Sequence, residues 1–373
     1  MRTFRCFCGN TVHFENTQCL VCGRRLGFLP DVGVLTALDV AGDGRWRALA
    51  PEAAGGYYRM CNNYVYERVC NWVVHSEDEQ VFCLACRLNE VIPNLDDAKN
   101  RVHWQRIERA KRRLLYTLYL LGLPVVGRDR DPEHGLAFQF LESAPPGAEF
   151  ADGFGHHHVI TGHRHGLITI NVAEADPSAR EEMRERMQEQ YRTLLGHFRH
   201  EIGHYYWQLL IAPGAWLERF RGLFGDERSD YDAALQRHYG QGAPADWQQG
   251  YISAYASAHP WEDWAETWAH YLHMVDALET AEDLGFAVGG HAVRAFSLGR
   301  DAGTQRAAAV YPPVSEFDAL LGDWIQLTIA LNALNRSMGQ PDAYPFALSA
   351  RAGEKLRFVH DVVADYRKTA VGA

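Results

Sequence analysis

The order of the predicted elements indicates an α+β fold, in which short strands come first and long helices follow. The predicted strands lie at 136–141, 157–161 and 167–172, and the predicted helices lie at 258–278, 315–336 and 352–368. Strands and helices that are separated along the chain favour an α+β domain over a doubly wound one, in which they would alternate. All eight cysteines fall within the first 86 of 373 residues, which indicates a separate N-terminal module.

The composition is that of a globular protein whose charge disfavours nucleic acid as a partner. Hydrophobic residues make up 47% of the chain, and 37 basic against 47 acidic side chains give a net charge of −10. A non-specific nucleic-acid binder is normally basic, because its affinity comes from neutralising phosphates. The most apolar stretch, residues 114–126, is shorter than the roughly 20 residues that cross a bilayer. We therefore expect a cytoplasmic protein with neither nucleic acid nor membrane as a partner.

The cysteines form two groups of four, and their spacing predicts two closed metal sites. The groups are Cys6, Cys8, Cys19 and Cys22, and Cys61, Cys70, Cys83 and Cys86. Zinc takes four tetrahedral ligands, and a two-residue gap lets one tight turn present two sulfurs to it. The first group predicts a zinc ribbon over residues 1–30, and the second predicts a further four-cysteine metal-binding module over residues 31–93. Iron would suit the same ligands, and the second group would also be consistent with buried free cysteines.

A long helix separates these modules from the rest of the chain. Apolar residues recur at helical spacing over 97–122, and the basic run at 110–113 is expected to form the solvated face. This helix belongs to a predicted helical linker over 94–128. A central domain over 129–290 and a helical C-terminal subdomain over 291–373 complete the predicted organisation.

The central domain is expected to begin with strands and to continue into a helix. The strands at 157–161 and 167–172 flank the sequence GHRHG, which predicts a hairpin. Residues 166–176 would suit an edge strand to which an extended peptide could add, although an ordinary interior strand fits nearly as well. Asp176 and Pro177 then begin a helical region, because Asp suits the N-cap and Pro suits the first helical position.

Residues 200–204 read HEIGH, which is an HExxH motif. His200 and His204 would lie one turn apart on one helix face, where they can hold one zinc ion. Glu201 would project toward the open position of the metal and deprotonate a bound water molecule. Apolar residues cover the opposite side of the same helix, which is the pattern of a helix that forms the wall of a site.

A catalytic zinc ion needs a third protein ligand, which we expect from a downstream helix. Position 210 is Leu, so the third histidine of the metzincin pattern is absent. Residues 259–266 read HPWEDWAE, and Pro260 suits the first turn of a helix. Glu262 and Glu266 would share one face of that helix, so either carboxylate is a candidate ligand.

These segments resemble a bacterial family of zinc-binding metallopeptidases that carry an N-terminal zinc ribbon. The resemblance rests on RTLLGHFRHEIGHYYW and HPWEDWAETWAHYLH, and it extends to CNW around Cys70, CRLN around Cys86, AKRRLLY and NRSMGQPDAYPF. It covers nearly the whole chain but assigns no role to the NRSMG and DAYPF segments. It implies a zincin-like catalytic domain over 129–290, with a small antiparallel sheet and active-site helices, and a peptidase of the gluzincin type.

The block from Tyr255 through Glu262 to Glu266 is also similar to metallopeptidases of the anthrax lethal factor type. That similarity implies Glu262 as the third zinc ligand, Tyr255 as the donor to the oxyanion, and Glu266 as the residue that orients a ligand histidine. Glu266 as the ligand, and Tyr255 as a core aromatic residue, are the alternatives. Glu262 lies 58 positions after His204, farther than in that type, so an insertion must fold between them.

Together these patterns predict a zinc-dependent metallopeptidase that acts on peptide or protein substrates. The expected cofactors are one catalytic and two structural zinc ions. Two other functions stay open: a non-catalytic, zinc-scaffolded protein-binding module, and a zinc hydrolase of non-peptide amide or isopeptide bonds. A complete HExxH motif with a downstream carboxylate favours an enzyme over the binding module.

Overall fold

The computed structural model describes residues 2–143, 159, 161–181, 193–295 and 314–371. The chain divides into two compact units. The N-terminal unit is Thr3–Tyr119 with Pro124–Phe198, and the C-terminal unit is Arg199–Ala373 with Met1–Arg2 and Leu120–Leu123. The two larger sheets belong to the N-terminal unit and most helices belong to the C-terminal unit. This arrangement confirms the predicted α+β class.

A five-stranded antiparallel sheet forms the first part of the N-terminal unit. After the short hairpin of β1 (Phe4–Arg5) and β2 (Thr11–Val12), its strands follow in chain order: β3 (Arg25–Leu29), β4 (Val34–Gly42), β5 (Arg45–Ala48), β6 (Tyr57–Met60) and, after helix α1 (Asn62–Val65), β7 (Val73–His75). In its register, Arg25 of β3 lies opposite Leu38 of β4. The boundary predicted at residue 30 therefore falls inside one sheet.

Helix α2 (Ala98–Leu120) confirms the helix predicted over 97–122, but two of the three cations in its basic run are buried. Lys111 and Arg112 are 0% and 5% exposed. Lys111 Nζ lies 2.9 Å from Oε1 of Glu108, which is itself buried. The prediction of a solvated face was wrong because helical spacing does not show that a glutamate three positions earlier balances a buried cation.

The second sheet of the N-terminal unit is mixed, whereas the resemblance implied an antiparallel one. Its strands are β8 (Asn89–Val91), β9 (Ala137–Leu141), β10 (Gly162–Arg164) and β11 (Leu167–Asn171), in the spatial order β10-β11-β9-β8. Strand β9 pairs in parallel with both β8 and β11, and only β10 and β11 are antiparallel. The parallel pairing follows from the connection between β8 and β9, because a crossover that contains helix α2 returns the chain to start the next strand in the same direction.

Strand β11 lies inside this sheet, so the interpretation of residues 166–176 as an edge strand was wrong. Strands β10 and β9 already occupy the hydrogen-bonding groups on its two sides. A hairpin is confirmed here, but its first strand is β10, which lies inside the GHRHG sequence that was expected to join the two strands. His165 and Gly166 connect β10 to β11 with φ values of 45° and 77°, as a two-residue type I′ turn requires. The strand predicted at 157–161 lies mostly outside the described residues. Asp176 accepts a hydrogen bond from the N–H of Ser178 at 2.8 Å, which confirms the predicted start of a helix.

Helices make up most of the C-terminal unit. Helix α3 (Leu194–Tyr206) begins in the N-terminal unit and continues as a π-helical turn (Trp207–Ile211). The elements that follow are α4 (Leu217–Phe224), α5 (Tyr231–Gln241), α6 (Pro260–Asp283), the short hairpin of β12 (Ala287–Val288) and β13 (His291–Ala292), α7 (Val314–Ser337) and α8 (Ala350–Val371). Helices α6, α7 and α8 confirm the three helices predicted after residue 257. Among the described residues, no helix combines the length and the apolar character needed to cross a membrane.

Helix α6 runs through the core of the C-terminal unit. Trp264 and Trp268 are fully buried. The ring of Trp268 stacks on Tyr206 with centroids 4.9 Å apart, and the ring of Trp264 meets Phe358 of α8 at 6.0 Å. Because α6 packs against both α3 and α8, its first turn is held in place within the C-terminal unit.

The NRSMG and DAYPF segments bind each other beside α6. Asn335 Nδ2 donates to the carbonyl oxygen of Pro341 at 2.9 Å, and Arg336 Nε donates to Asp342 at 2.6 Å. Tyr344 is buried, and its hydroxyl is hydrogen-bonded to Nδ1 of His270 on α6 at 2.7 Å. These two segments therefore complete the helical core.

We expect the free energy of unfolding to decrease as the pH drops below about 6.5, because His360 of α8 is buried in its neutral form. His360 is hydrogen-bonded to the hydroxyl of Tyr271 at 3.2 Å, and burial lowers its pKa to about 4. A histidine whose folded pKa lies below its unfolded value of about 6.5 contributes fully above that value, and this stability is lost as the pH falls. Between about pH 7 and pH 5, the free energy of unfolding in urea should therefore decrease by roughly 2 kcal/mol less in His360→Gln than in the wild type.

The matched control for this measurement is His291→Gln, because His291 lies on the exposed strand β13. The free energy of unfolding of His291→Gln should depend on pH in the same way as that of the wild type. An unchanged slope in His360→Gln would contradict the assignment.

Candidate metal centre

Two histidines of α3 and one glutamate of α6 converge in the C-terminal unit. The imidazole centroids of His200 and His204 are 5.0 Å apart. Oε2 of Glu262 lies 3.0 Å from Nε2 of His200, and Oε1 lies 3.7 Å from Nε2 of His204. Ligand atoms that are each about 2.1 Å from a tetrahedral zinc ion are about 3.4 Å apart. The three side chains therefore have separations that fit a zinc ion.

The first turn of α6 places Glu262 in this position. His259 caps the helix, since its Nδ1 accepts a hydrogen bond from the N–H of Trp261 at 3.1 Å, and Pro260 occupies the first helical position. Glu262 falls in the first turn, where the helix dipole favours a carboxylate. The side chain is only 1% exposed, so its negative charge must be balanced by its immediate neighbours.

Close packing of α3 against α6 brings the histidines to the carboxylate. A Cβ atom on Gly203 would lie 3.0 Å from Cα of Ala265 and 3.2 Å from Cβ of Trp268. The indole N–H of Trp264 also donates to the carbonyl oxygen of Gly203 at 2.8 Å. The glycine inside HExxH is therefore a point of backbone contact between the two helices.

A second carboxylate orients His200. Nδ1 of His200 lies 2.7 Å from Oε1 of Glu266, and the hydroxyl of Ser253 donates to Oε2 of Glu266 at 2.6 Å. A carboxylate acceptor favours the tautomer with the proton on Nδ1, which leaves Nε2 free to bind a metal ion. Since Nε2 is the nitrogen that faces Glu262, the structure groups Glu262, and not Glu266, with the two histidines.

The electrostatics of the group favour the binding of a cation. Burial lowers the pKa of His204 to about 4, so this imidazole is neutral near pH 7. Burial alone would raise the pKa of Glu262, but the neighbouring histidines and the hydroxyl of Tyr231 lower it to about 2. Burial also disfavours protonation of His200, yet the carboxylates of Glu262 and Glu266 raise its pKa well above the usual value. A bound cation would balance the charge of these two carboxylates.

The two residues predicted to act on the substrate lie beside this group. Glu201 follows His200 on α3 and is buried. Tyr255 lies in a 3-10 turn (Tyr255–Ser257) before α6, and its ring centroid is 5.9 Å from that of His200. Burial and the nearby carboxylates raise the pKa of Tyr255 well above its usual value, so its hydroxyl keeps the proton that it would donate.

Sequence patterns missed three residues that hold this group in place: Tyr231, Ser253 and His259. The hydroxyl of Tyr231 donates to Oε1 of Glu262 at 2.6 Å, although 31 positions separate the two residues. The sequence feature that could have indicated the helix beginning at Tyr231 is Asp230, whose carboxylate caps α5. An N-cap residue can locate the start of a helix, but it does not reveal which distant residue that helix will contact.

The two cysteine groups form separate clusters in the N-terminal unit. In each cluster the four sulfur atoms lie within 4.8 Å of one another. The Sγ–Sγ distances are 3.6 Å for Cys6 and Cys22, 3.7 Å for Cys8 and Cys19, and 3.7 Å for Cys70 and Cys83. Sulfurs about 2.3 Å from a tetrahedral zinc ion are roughly 3.8 Å apart. The geometry therefore favours metal ligands over free buried cysteines in both groups.

Most of the chain is similar to known sequences. Residues 100–362 match the family described as "Putative zinc-binding metallo-peptidase", and residues 3–97 match a "zinc-ribbon domain". The chain is also similar to uncharacterised proteins from Mycobacterium bovis and Mycobacterium tuberculosis, each 43% identical over 365 residues that cover 97% of this chain and 95% of the relative. No solved structure gives a significant match. The first match spans the His/Glu group, and the second spans both cysteine clusters.

We expect Gly203→Ala to weaken both folding and zinc binding at the His/Glu group. The added methyl group would have to displace the backbone of α6 at Ala265, which typically costs about 1–3 kcal/mol of unfolding free energy. Thermal unfolding and zinc content of the full-length chain measure the two effects.

The matched control is Gly222→Ala on α4, where an added Cβ meets nothing within 4 Å. It should be neutral or slightly stabilising, because Ala is the better helix former. Equal stability and zinc content in the two variants would show that the spacing of α3 and α6 does not depend on Gly203.

Proposed function

The chain belongs to this family of zinc-binding metallopeptidases, and on that basis we propose that it hydrolyses peptide bonds as a gluzincin-type enzyme. The observation that carries the proposal is the convergence of His200, His204 and Glu262, with Glu201 next to the first ligand on the same helix. A hydrolase needs both the ligands and a carboxylate that can activate water, whereas a docking platform needs neither.

In this proposal the chain holds zinc at two kinds of site. His200, His204 and Glu262 would hold one ion with a position open to water or substrate, whereas each four-cysteine cluster would be closed and structural. When bound in the open site, zinc would polarise the peptide carbonyl and lower the pKa of a water molecule. The chemistry is therefore assigned to the C-terminal unit, and the stabilising ions are assigned to the N-terminal unit.

Glu201 is proposed to move the proton during hydrolysis. Its carboxylate accepts a proton from the attacking water and passes that proton to the nitrogen of the leaving amine. Tyr255 donates a hydrogen bond to the carbonyl oxygen as negative charge develops on it, and such a donor contributes about 3 kcal/mol. Glu266 keeps His200 in the orientation in which Nε2 binds the metal.

Glu201→Gln should keep the full zinc content and lose hydrolysis. The amide has nearly the same shape as the carboxylate but cannot accept the proton, and general-base loss lowers kcat by roughly 100- to 10,000-fold. The measurement is kcat on an unfolded protein substrate, together with metal analysis of the same preparation. Glu218→Gln, at an exposed position of α4, is the matched control and should retain wild-type activity. Substantial activity in Glu201→Gln would rule out its role as the base.

The full-length chain should bind three zinc ions, of which a chelator removes one first. The His/Glu site has three protein ligands, so its ion should exchange more readily than ions held by four thiolates. Removal of that ion should abolish hydrolysis while leaving the far-ultraviolet circular dichroism unchanged, and added zinc should restore activity. Two tightly held ions without a labile third would instead favour a protein-binding module.

A further inference from the structure

Helix α5 lies in the segment between HExxH and Glu262, and its first residue contacts the candidate ligand directly. Tyr231 donates its hydroxyl hydrogen to Oε1 of Glu262 at 2.6 Å. A hydrogen bond to an ionised carboxylate is about twice as strong as one between neutral groups. Because Glu262 is almost completely buried, water does not compete well for this oxygen.

The two oxygen atoms of Glu262 have different surroundings. Oε1 accepts the hydrogen bond from Tyr231, whereas Oε2 lies 3.0 Å from Nε2 of His200. With Nδ1 of His200 hydrogen-bonded to Glu266, Nε2 and Oε2 face each other, and a metal ion between them would contact both atoms. Tyr231 therefore binds the oxygen that lies 3.7 Å from Nε2 of His204 and leaves Oε2 directed at His200.

His259 joins the start of α5 to the start of α6. Its Nδ1 accepts from the N–H of Trp261 at 3.1 Å, and its Nε2 donates to the carbonyl oxygen of Ser229 at 3.1 Å. The imidazole also packs against the ring of Tyr231, with centroids 5.1 Å apart. Since these bonds tie the backbones on both sides, the position of Tyr231 relative to Glu262 does not depend on one flexible side chain.

We propose that Tyr231 is a positioning residue that sets the coordination of zinc through Glu262. The inference rests on the proposed function and adds α5 to the machinery of the same site. Tyr231 holds Oε1, prevents rotation of the carboxylate and presents Oε2 to the metal ion. The two tyrosines near the centre then have separate roles, because Tyr231 orients a ligand and Tyr255 donates to the substrate.

These separate roles predict different zinc affinities for two matched variants of the full-length chain. Tyr231→Phe should lower the apparent zinc affinity of the His/Glu centre about 10- to 100-fold, because the ligand loses the group that orients it. Tyr255→Phe should keep wild-type zinc affinity and lose kcat. Zinc titration against a chelator, with the two tightly held ions counted separately, measures the affinity without any peptidase assay.

Activity at saturating zinc provides a second readout. Tyr231→Phe should then recover most of the wild-type kcat, whereas Tyr255→Phe should not. Tyr66→Phe is the control for loss of a tyrosine hydroxyl, because Tyr66 is exposed in the N-terminal unit. If thermal unfolding shows that Tyr231→Phe does not fold, His259→Asn replaces it; this change keeps an N-cap for α6, removes the bond to Ser229 and should weaken zinc binding in the same way.

Wild-type zinc affinity in the tested variant overturns the proposal. Normal affinity combined with a kcat that zinc cannot restore also overturns it, because Tyr231 would then donate to the substrate. A wild-type chain that takes up no third zinc ion contradicts the proposed function itself. The two failures are therefore distinguishable.

Discussion

The packing of α3 against α6 at Gly203 is the contact on which the candidate centre depends. One helical turn fixes His200 and His204 relative to each other, but Glu262 comes from another helix, so its distance from them depends on the separation of the two helices. The contact of Gly203 with Ala265 sets that separation. A residue without a side chain thus controls the ligand geometry as directly as the ligands do.

Buried charge distinguishes this centre from the rest of the C-terminal unit. Lys355 and Asp263 form a buried pair at 2.5 Å, in which one cation balances one carboxylate. Around His200, by contrast, two carboxylates, Glu262 and Glu266, approach a single imidazole. Because leaving a buried carboxylate without a counter-charge is costly, a divalent cation at the proposed zinc site would complete the balance that the side chains alone do not provide.

Sequence patterns located the parts of the fold and of the site that depend on local helix geometry. The two histidines and the helix with Glu262 and Glu266 were recognisable because residues four positions apart share a helix face. Tyr231 was not recognisable, because its role depends on a distance that only tertiary packing sets. The errors at residues 110–113 and in the placement of β11 have the same origin: a buried glutamate and the neighbouring strand β10 decide exposure, and neither appears in the local pattern.

The 57 residues between His204 and Glu262 are part of the candidate centre and not a neutral insertion. This segment supplies a hydroxyl to each carboxylate, from Tyr231 to Glu262 and from Ser253 to Glu266. Both carboxylates are therefore held from the same stretch of chain, while α3 supplies the two histidines and Glu201. We therefore expect folding of the segment and formation of the ligand geometry to be coupled, because each hydroxyl holds the carboxylate that it contacts. The longer gap thus reflects ligand positioning, which a surface loop of the same length would not provide.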